Sequence, residues 1–155
     1  GTYTSFTFYL PATTEKVKDE KPDSHIAVHS GRILLLDDDE LVRMTGKHIL
    51  EKLGFVPATA KNGDEAVKLY EEALREKRPF DAVILDLTIK GGPGGVAVLN
   101  KLKKIDPYVK ALVSSGYSQD PAMANYRQFG FCGIIRKPYR IEELEESIVR
   151  VLETN

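Results

Sequence analysis

At 155 residues the chain has the length of one ordinary domain with some tail. Its 22 Lys and Arg against 23 Asp and Glu leave a net charge of −1, so no global field draws it to nucleic acid or to an anionic membrane. A single cysteine excludes an internal disulfide, no apolar run approaches the ~20 residues that span a bilayer, and no signal-peptide order is present, so a reducing cytoplasm is expected.

Residues 1–11, GTYTSFTFYLP, alternate apolar Phe6, Phe8 and Leu10 with polar neighbours, the period of a strand with one buried face. From Ala12 to Ser30 the residues are charged or small, with Pro22 and no sustained apolar period, which predicts a linker. From Gly31 onward short apolar runs alternate with helical patterns. Ile33–Leu36, Phe55–Ala60, Ala82–Leu85, Val109–Val113 and Phe131–Ile135 are the expected strands, Phe55–Ala60 being the weakest. Ala66, Tyr70, Ala73 and Leu74 recur at helical spacing, as do Ile141, Leu144, Ile148, Val151 and Leu152. A helix after each strand, with right-handed crossovers, predicts an α/β fold: a doubly wound five-stranded parallel sheet of flavodoxin type over residues 31–155. Cys132, between Phe131 and Gly133 and without metal-ligand neighbours, is expected to be buried.

Ligands of open parallel sheets bind beyond the carboxyl ends of the strands. Here those ends carry Asp37, Asp38 and Asp39, then Asp86, then Ser114 and Ser115, then Lys137 and Pro138. Carboxylates gathered at one edge repel unless a hard cation joins them, which points to Mg²⁺ with coordination positions left open for phosphoryl oxygens. Asp86 is placed to receive a phosphoryl group, and the metal, Lys137 and Ser115 to share its negative charge. Each residue alone has a plainer reading. The acidic run can be a solvated loop with one aspartate capping the next helix, Asp86 a turn residue, Ser115 a capping hydroxyl and Lys137 a surface lysine. The conjunction at four strand ends favours the chemical reading. GGPGG at 91–95 lacks the Lys-Ser/Thr pair of a phosphate loop, and its glycines are expected to serve the turn between Asp86 and a helix starting near Val96. His25, His29 and His48 have no metal-ligand spacing.

Residues 31–153 resemble the receiver domains of two-component signalling, through RILLLDDDE, AVILDL, ALVSSGY and IIRKPY in that order. The resemblance implies that Asp37 and Asp38 hold Mg²⁺, that the carbonyl of Thr88 completes the protein's metal ligands, that Asp86 is the phosphoacceptor, and that Ser115 and Lys137 contact the phosphoryl group. Its implied partner is a phosphohistidine-bearing kinase domain or a histidine phosphotransfer protein, and it leaves a homodimer open. GTYTSFTFYLP is similar to the closing strand of histidine-kinase ATP-binding domains, with Tyr3 where a second glycine often stands. Together the two resemblances imply the cytoplasmic receiver of a hybrid sensor kinase, and they leave a membrane anchor open for the full-length parent. Ile134 departs from the Tyr or Phe that many receivers place three residues before the lysine, and Lys90 from a frequent proline. Signal is accordingly expected to leave through the loop with Gly116 and Tyr117 and a helix beginning near Gln119. A Mg²⁺-dependent aspartate-nucleophile phosphatase is the enzyme alternative, disfavoured because Thr88 stands where its general acid belongs. A docking module that keeps the receiver shape without phosphate is the other, disfavoured by the intact acceptor, metal and lysine positions.

Overall fold

The computed structural model describes Thr4, Thr7 and residues 29–90, 92, 94–116 and 121–154. The expected strand at 1–11, apart from Thr4 and Thr7, lies outside the described residues, as do linker residues 12–28, Gly91, Pro93, Tyr117 and Gln119.

Five strands form one parallel sheet in the order β2-β1-β3-β4-β5. They are β1 Arg32–Leu36, β2 Val56–Ala60, β3 Ala82–Asp86, β4 Ala111–Ser115 and β5 Gly133–Arg136. The helices are α1 Glu40–Lys52, α2 Gly63–Arg75, α3 Gly95–Ile105, α4 Pro121–Ala124 and α5 Ile141–Glu153. This is the expected doubly wound arrangement, and β1 and β3 at its centre are the most apolar strands because helices cover both of their faces. The fourth strand sits two residues later than its apolar run, since Ser114 and Ser115 continue the ladder with their backbone carbonyls accepting from Leu87 N at 2.9 Å and Lys137 N at 3.0 Å.

The sheet divides two cores. One face packs Leu34, Leu36, Val83, Leu85 and Val113 against α2 and α3, with Tyr70 and Leu99 among the buried helix residues. The other packs Ile33, Leu35, Ile84 and Leu112 against α1 and α5, through Leu50, Leu144 and Ile148. Alternate residues of each strand therefore serve opposite cores, as the pleat requires. The first two helices are capped by side chains: Asp39 accepts from Leu41 N and Val42 N at the head of α1, and Asn62 accepts from Glu65 N at the head of α2.

Cys132 is exposed, contrary to the expectation of burial. It lies just before β5, at the edge of the sheet, beside an open cavity of about 880 Å³ that Tyr126, Cys132 and Ile134 help to line. Phe131 turns inward and is buried, while Cys132, next along the chain, faces out.

Candidate phosphoacceptor and metal site

Asp37, Asp86, Ser115 and Lys137 are brought to the carboxyl edge of the sheet by four different strands or the turns that follow them. Asp86 ends β3 directly beside Ser114 of β4. After residues 87–94 the chain returns to the end of β3: Gly95 N, at the start of α3, donates to the Leu87 carbonyl at 3.2 Å. A Cβ at Gly94 would stand 2.4 Å from the Leu87 oxygen, and one at Gly95 would stand 2.6 Å from the Asp86 oxygen. Only glycine allows the helix to start so close behind the aspartate, which gives Gly94 and Gly95 the turn role expected of the 91–95 loop.

Asp37 is fully buried and Asp86 is 5% exposed, unusual positions for carboxylates. Lys137 joins them, its Nζ 2.6 Å from Asp37 Oδ2 and 3.0 Å from Asp86 Oδ2. Backbone groups serve the other oxygens: Asp39 N donates to Asp37 Oδ1 at 3.0 Å, and Thr88 N and Lys90 N approach Asp86 Oδ1 and Asp38 Oδ2, each at 3.4 Å. Arg43, one turn into α1, donates to the Asp37 carbonyl at 2.8 Å. Burial pushes the Asp86 carboxyl above its usual range, against the opposing pull of Lys137, and the neighbouring Asp37 charge pushes it further the same way.

The donor set fits a hard cation. Ligand oxygens of Asp37, Asp38 and Asp86 all lie within 4.8 Å of one another, and among the described residues Asp37 Oδ2 is buried without accepting a hydrogen bond, held by its ion pair with Lys137. One ammonium among three carboxylates leaves the cluster negative, which a divalent ion would offset. The acidic run also caps a helix, through Asp39 rather than through the two aspartates that face the cleft.

Sequence reasoning overlooked one pair. Ser114 Oγ and the Tyr139 hydroxyl share a buried hydrogen bond of 2.9 Å. The signal was available in SSGY and KPY, since a serine and a tyrosine in otherwise apolar surroundings each need a partner. Ile134, at the place of the usual aromatic, is half-buried against the α2–α3 core, and its carbonyl accepts from Ser147 of α5 at 3.2 Å.

A flavodoxin-type sheet whose carboxyl edge gathers three carboxylates, a buried serine and a lysine is the architecture of a two-component signalling receiver. The chain belongs to the response regulator receiver domain family, whose profile matches residues 33–149. It is 34% identical over 122 residues to the chemotaxis protein CheY of Bacillus subtilis, an alignment that covers 78% of this chain and 97% of CheY. It is 28% identical over 163 residues to the sensor kinase CckA of Brucella abortus, across 99% of this chain and 17% of CckA. The chain thus spans about a sixth of that sensor kinase and nearly all of CheY. Among solved structures, a receiver domain protein of Clostridium thermocellum superposes with a TM-score of 0.70 at 24% identity, over 79% of this chain and 94% of that one, a likeness of fold. NtrX of Brucella abortus superposes with a TM-score of 0.71 at 28% identity, over 81% of this chain and 28% of NtrX. The chain is therefore a receiver domain of two-component signalling, and neither the phosphatase nor the phosphate-free docking reading is favoured. Receiver domains in general use Mg²⁺ at an acidic pocket of this kind and act with histidine kinases or phosphotransfer proteins. Among the described residues, no helix is long and apolar enough to cross a membrane.

Proposed function

We propose that Asp86 accepts a phosphoryl group from a phosphohistidine, with Mg²⁺ held by Asp37, Asp38, Asp86 and the Thr88 carbonyl. The observation that carries this reading is the buried Asp37–Lys137–Asp86 bridge at the end of the sheet. In the transfer an Asp86 oxygen attacks phosphorus, the P–N bond breaks, and its electron pair leaves on the imidazole nitrogen, which takes up a proton. Mg²⁺, when bound, supplies positive charge for the phosphoryl oxygens and for the carboxylates that hold it. Lys137 neutralises the arriving charge from the other side, and the Ser115 hydroxyl donates to a phosphoryl oxygen. Tight backbone turns keep these groups fixed, so that little reorganisation is needed during transfer.

The same proposal makes the chain the receiver of a hybrid sensor kinase, with residues 1–11 the end of a catalytic domain, 12–30 a linker and 31–155 the receiver. Support comes from the alignment with sensor kinase CckA, which extends over 99% of the chain, whereas the CheY alignment covers 78%. Its partner would then be a phosphohistidine-bearing kinase domain or a histidine phosphotransfer protein, met in the cytoplasm. The test is incubation with Mg²⁺ and phosphoramidate, a donor carrying the same P–N bond. Mass spectrometry should find one added phosphoryl group, labile as an acyl phosphate, and none on Asp86→Asn. Uptake by Asp86→Asn equal to that of the parent would remove Asp86 from the role.

A further inference from the structure

Lysine is a point charge on a flexible four-carbon stem, so holding its ammonium between two acids depends on how firmly its backbone is fixed. On one side Lys137 N donates to the Ser115 carbonyl at 3.0 Å, extending the β4–β5 ladder by one residue. On the other, two residues on, the Tyr139 side chain returns beneath the site and meets Ser114 Oγ at 2.9 Å. The Tyr139 ring belongs to the core shared by Leu35, Ile84 and Leu112. It also lies against Gly46 of α1, where a Cβ would stand 2.9 Å from ring carbon Cε2.

We propose that Tyr139 is a positioning residue for phosphoryl transfer: through its buried hydrogen bond to Ser114 it anchors the turn that carries Lys137, and so holds the Lys137 ammonium between Asp37 and Asp86. A phenylalanine would fill nearly the same volume, and a buried hydroxyl stabilises nothing unless it is bonded. What the Ser114–Tyr139 pair adds over an apolar pair is direction. The bond joins β4, whose next residue is Ser115, to the Lys137 turn, so the two groups proposed to contact phosphate move as one unit. Burial raises the tyrosine's ionisation above its ordinary range against the opposing pull of the Ser114 hydrogen bond, and the Asp37 and Asp86 charges add to the rise, so the hydroxyl stays neutral and able to bond.

This inference rests on the reading of Asp86 as acceptor, and the experiment separates the two. Tyr139→Phe, Ser114→Ala and the double variant of the whole chain would be phosphorylated with phosphoramidate and Mg²⁺, and the Lys137 ammonium followed by NMR without donor. Both single variants should slow transfer roughly tenfold, in proportion to a small misplacement of a reacting group. The double variant should be no slower than either single one, because the two hydroxyls act as a unit. The Lys137 ammonium signal should shift in all three, while Mg²⁺ affinity is no weaker than in the parent, which a merely damaged fold would not preserve. Parental transfer rates in both single variants, or an unmoved Lys137 signal, would overturn the positioning role and leave the acceptor untouched. Phosphate uptake by Asp86→Asn overturns the acceptor reading, and the positioning role with it.

Discussion

The body of the sheet and its carboxyl edge are built on opposite terms. In the body, Leu34, Leu35 and Leu36 of β1 and Val83, Ile84 and Leu85 of β3 are buried among apolar neighbours, where local pattern, packing and the hydrophobic effect all agree. One residue further along each of these strands, Asp37 and Asp86 are as deeply buried and carry charge. Lys137 bridges them, and a cation, or a proton on Asp86, offsets the remaining imbalance. The strands thus lend the edge their rigidity, and the edge lowers the stability that the strands provide. Such a division is expected where a site must hold charge ready for a reaction.

The largest effect should come from cutting into the body. Leu35→Ala removes a side chain with no exposed surface and should lower unfolding free energy by about 2–5 kcal/mol, read from urea denaturation. Asp86→Asn should do the reverse in metal-free buffer, raising stability, because burial already disfavours the charged form. A loss comparable to that of Leu35→Ala would mean that the edge stabilises the fold and would break the comparison. Second in size is the metal. Asp38→Ala should weaken Mg²⁺ binding at least about tenfold, a loss already typical of outer-shell changes, measured by calorimetric titration. Equal affinity would reduce the acidic run to a solvated loop and a helix cap.

The response to pH sharpens the contrast further. Asp86 holds its proton more tightly in the folded chain than in the unfolded one, so its contribution to stability diminishes as pH rises from the ordinary carboxylate value through the raised one. Metal binding runs the other way, since the ligand must be ionised. Mg²⁺ affinity should therefore decline on acidification at a higher pH than unperturbed carboxylates would give, and the decline should move to lower pH in the Asp86→Asn variant. An unchanged profile in that variant would assign the proton to another group.

How much of this was legible follows the same line. The strands of the body were readable because burial on both faces leaves an uninterrupted apolar run, and even the edge strand β2, with Val56 exposed, kept enough of it in VPATA. Ser114 and Ser115 fell outside the apolar count although both are buried strand residues, because backbone ladder bonds continue where apolar side chains stop. The edge residues were readable through their chemistry at successive strand ends, which gave Asp37, Asp38, Asp86, Ser115 and Lys137 together. The Ser114–Tyr139 bond was not, since it joins residues 25 apart and depends on the absence of a side chain at Gly46. Nor was the exposure of Cys132, which lies just before the edge strand β5 with its neighbour Phe131 turned inward.

The smallest effect tests where the body begins. His29, within the residues expected to form the linker, packs on the receiver: its ring stacks on Phe55 with centroids 5.4 Å apart and an interplanar angle of 5°. Its Nε2 donates to Glu145 Oε1 of α5 at 2.7 Å, and its backbone N donates to the Leu53 carbonyl at 3.0 Å. These contacts tie the incoming chain to the end of α1 and to α5, yet His29 and Glu145 both retain contact with solvent, and a partly solvated pair contributes little. His29→Ala should lower unfolding free energy by about 1 kcal/mol, most of it from the lost stack. A chain begun at Gly31 should lose no more than that, because Gly31 is the last residue before β1 and, among the described residues, both cores are built from Ile33 onward. Mg²⁺ affinity should be the same in both, since neither change reaches the carboxyl edge. If the shortened chain instead lost as much stability as Leu35→Ala, residues before Gly31 would belong to the body, and the boundary between linker and receiver would have to be moved toward the first residue.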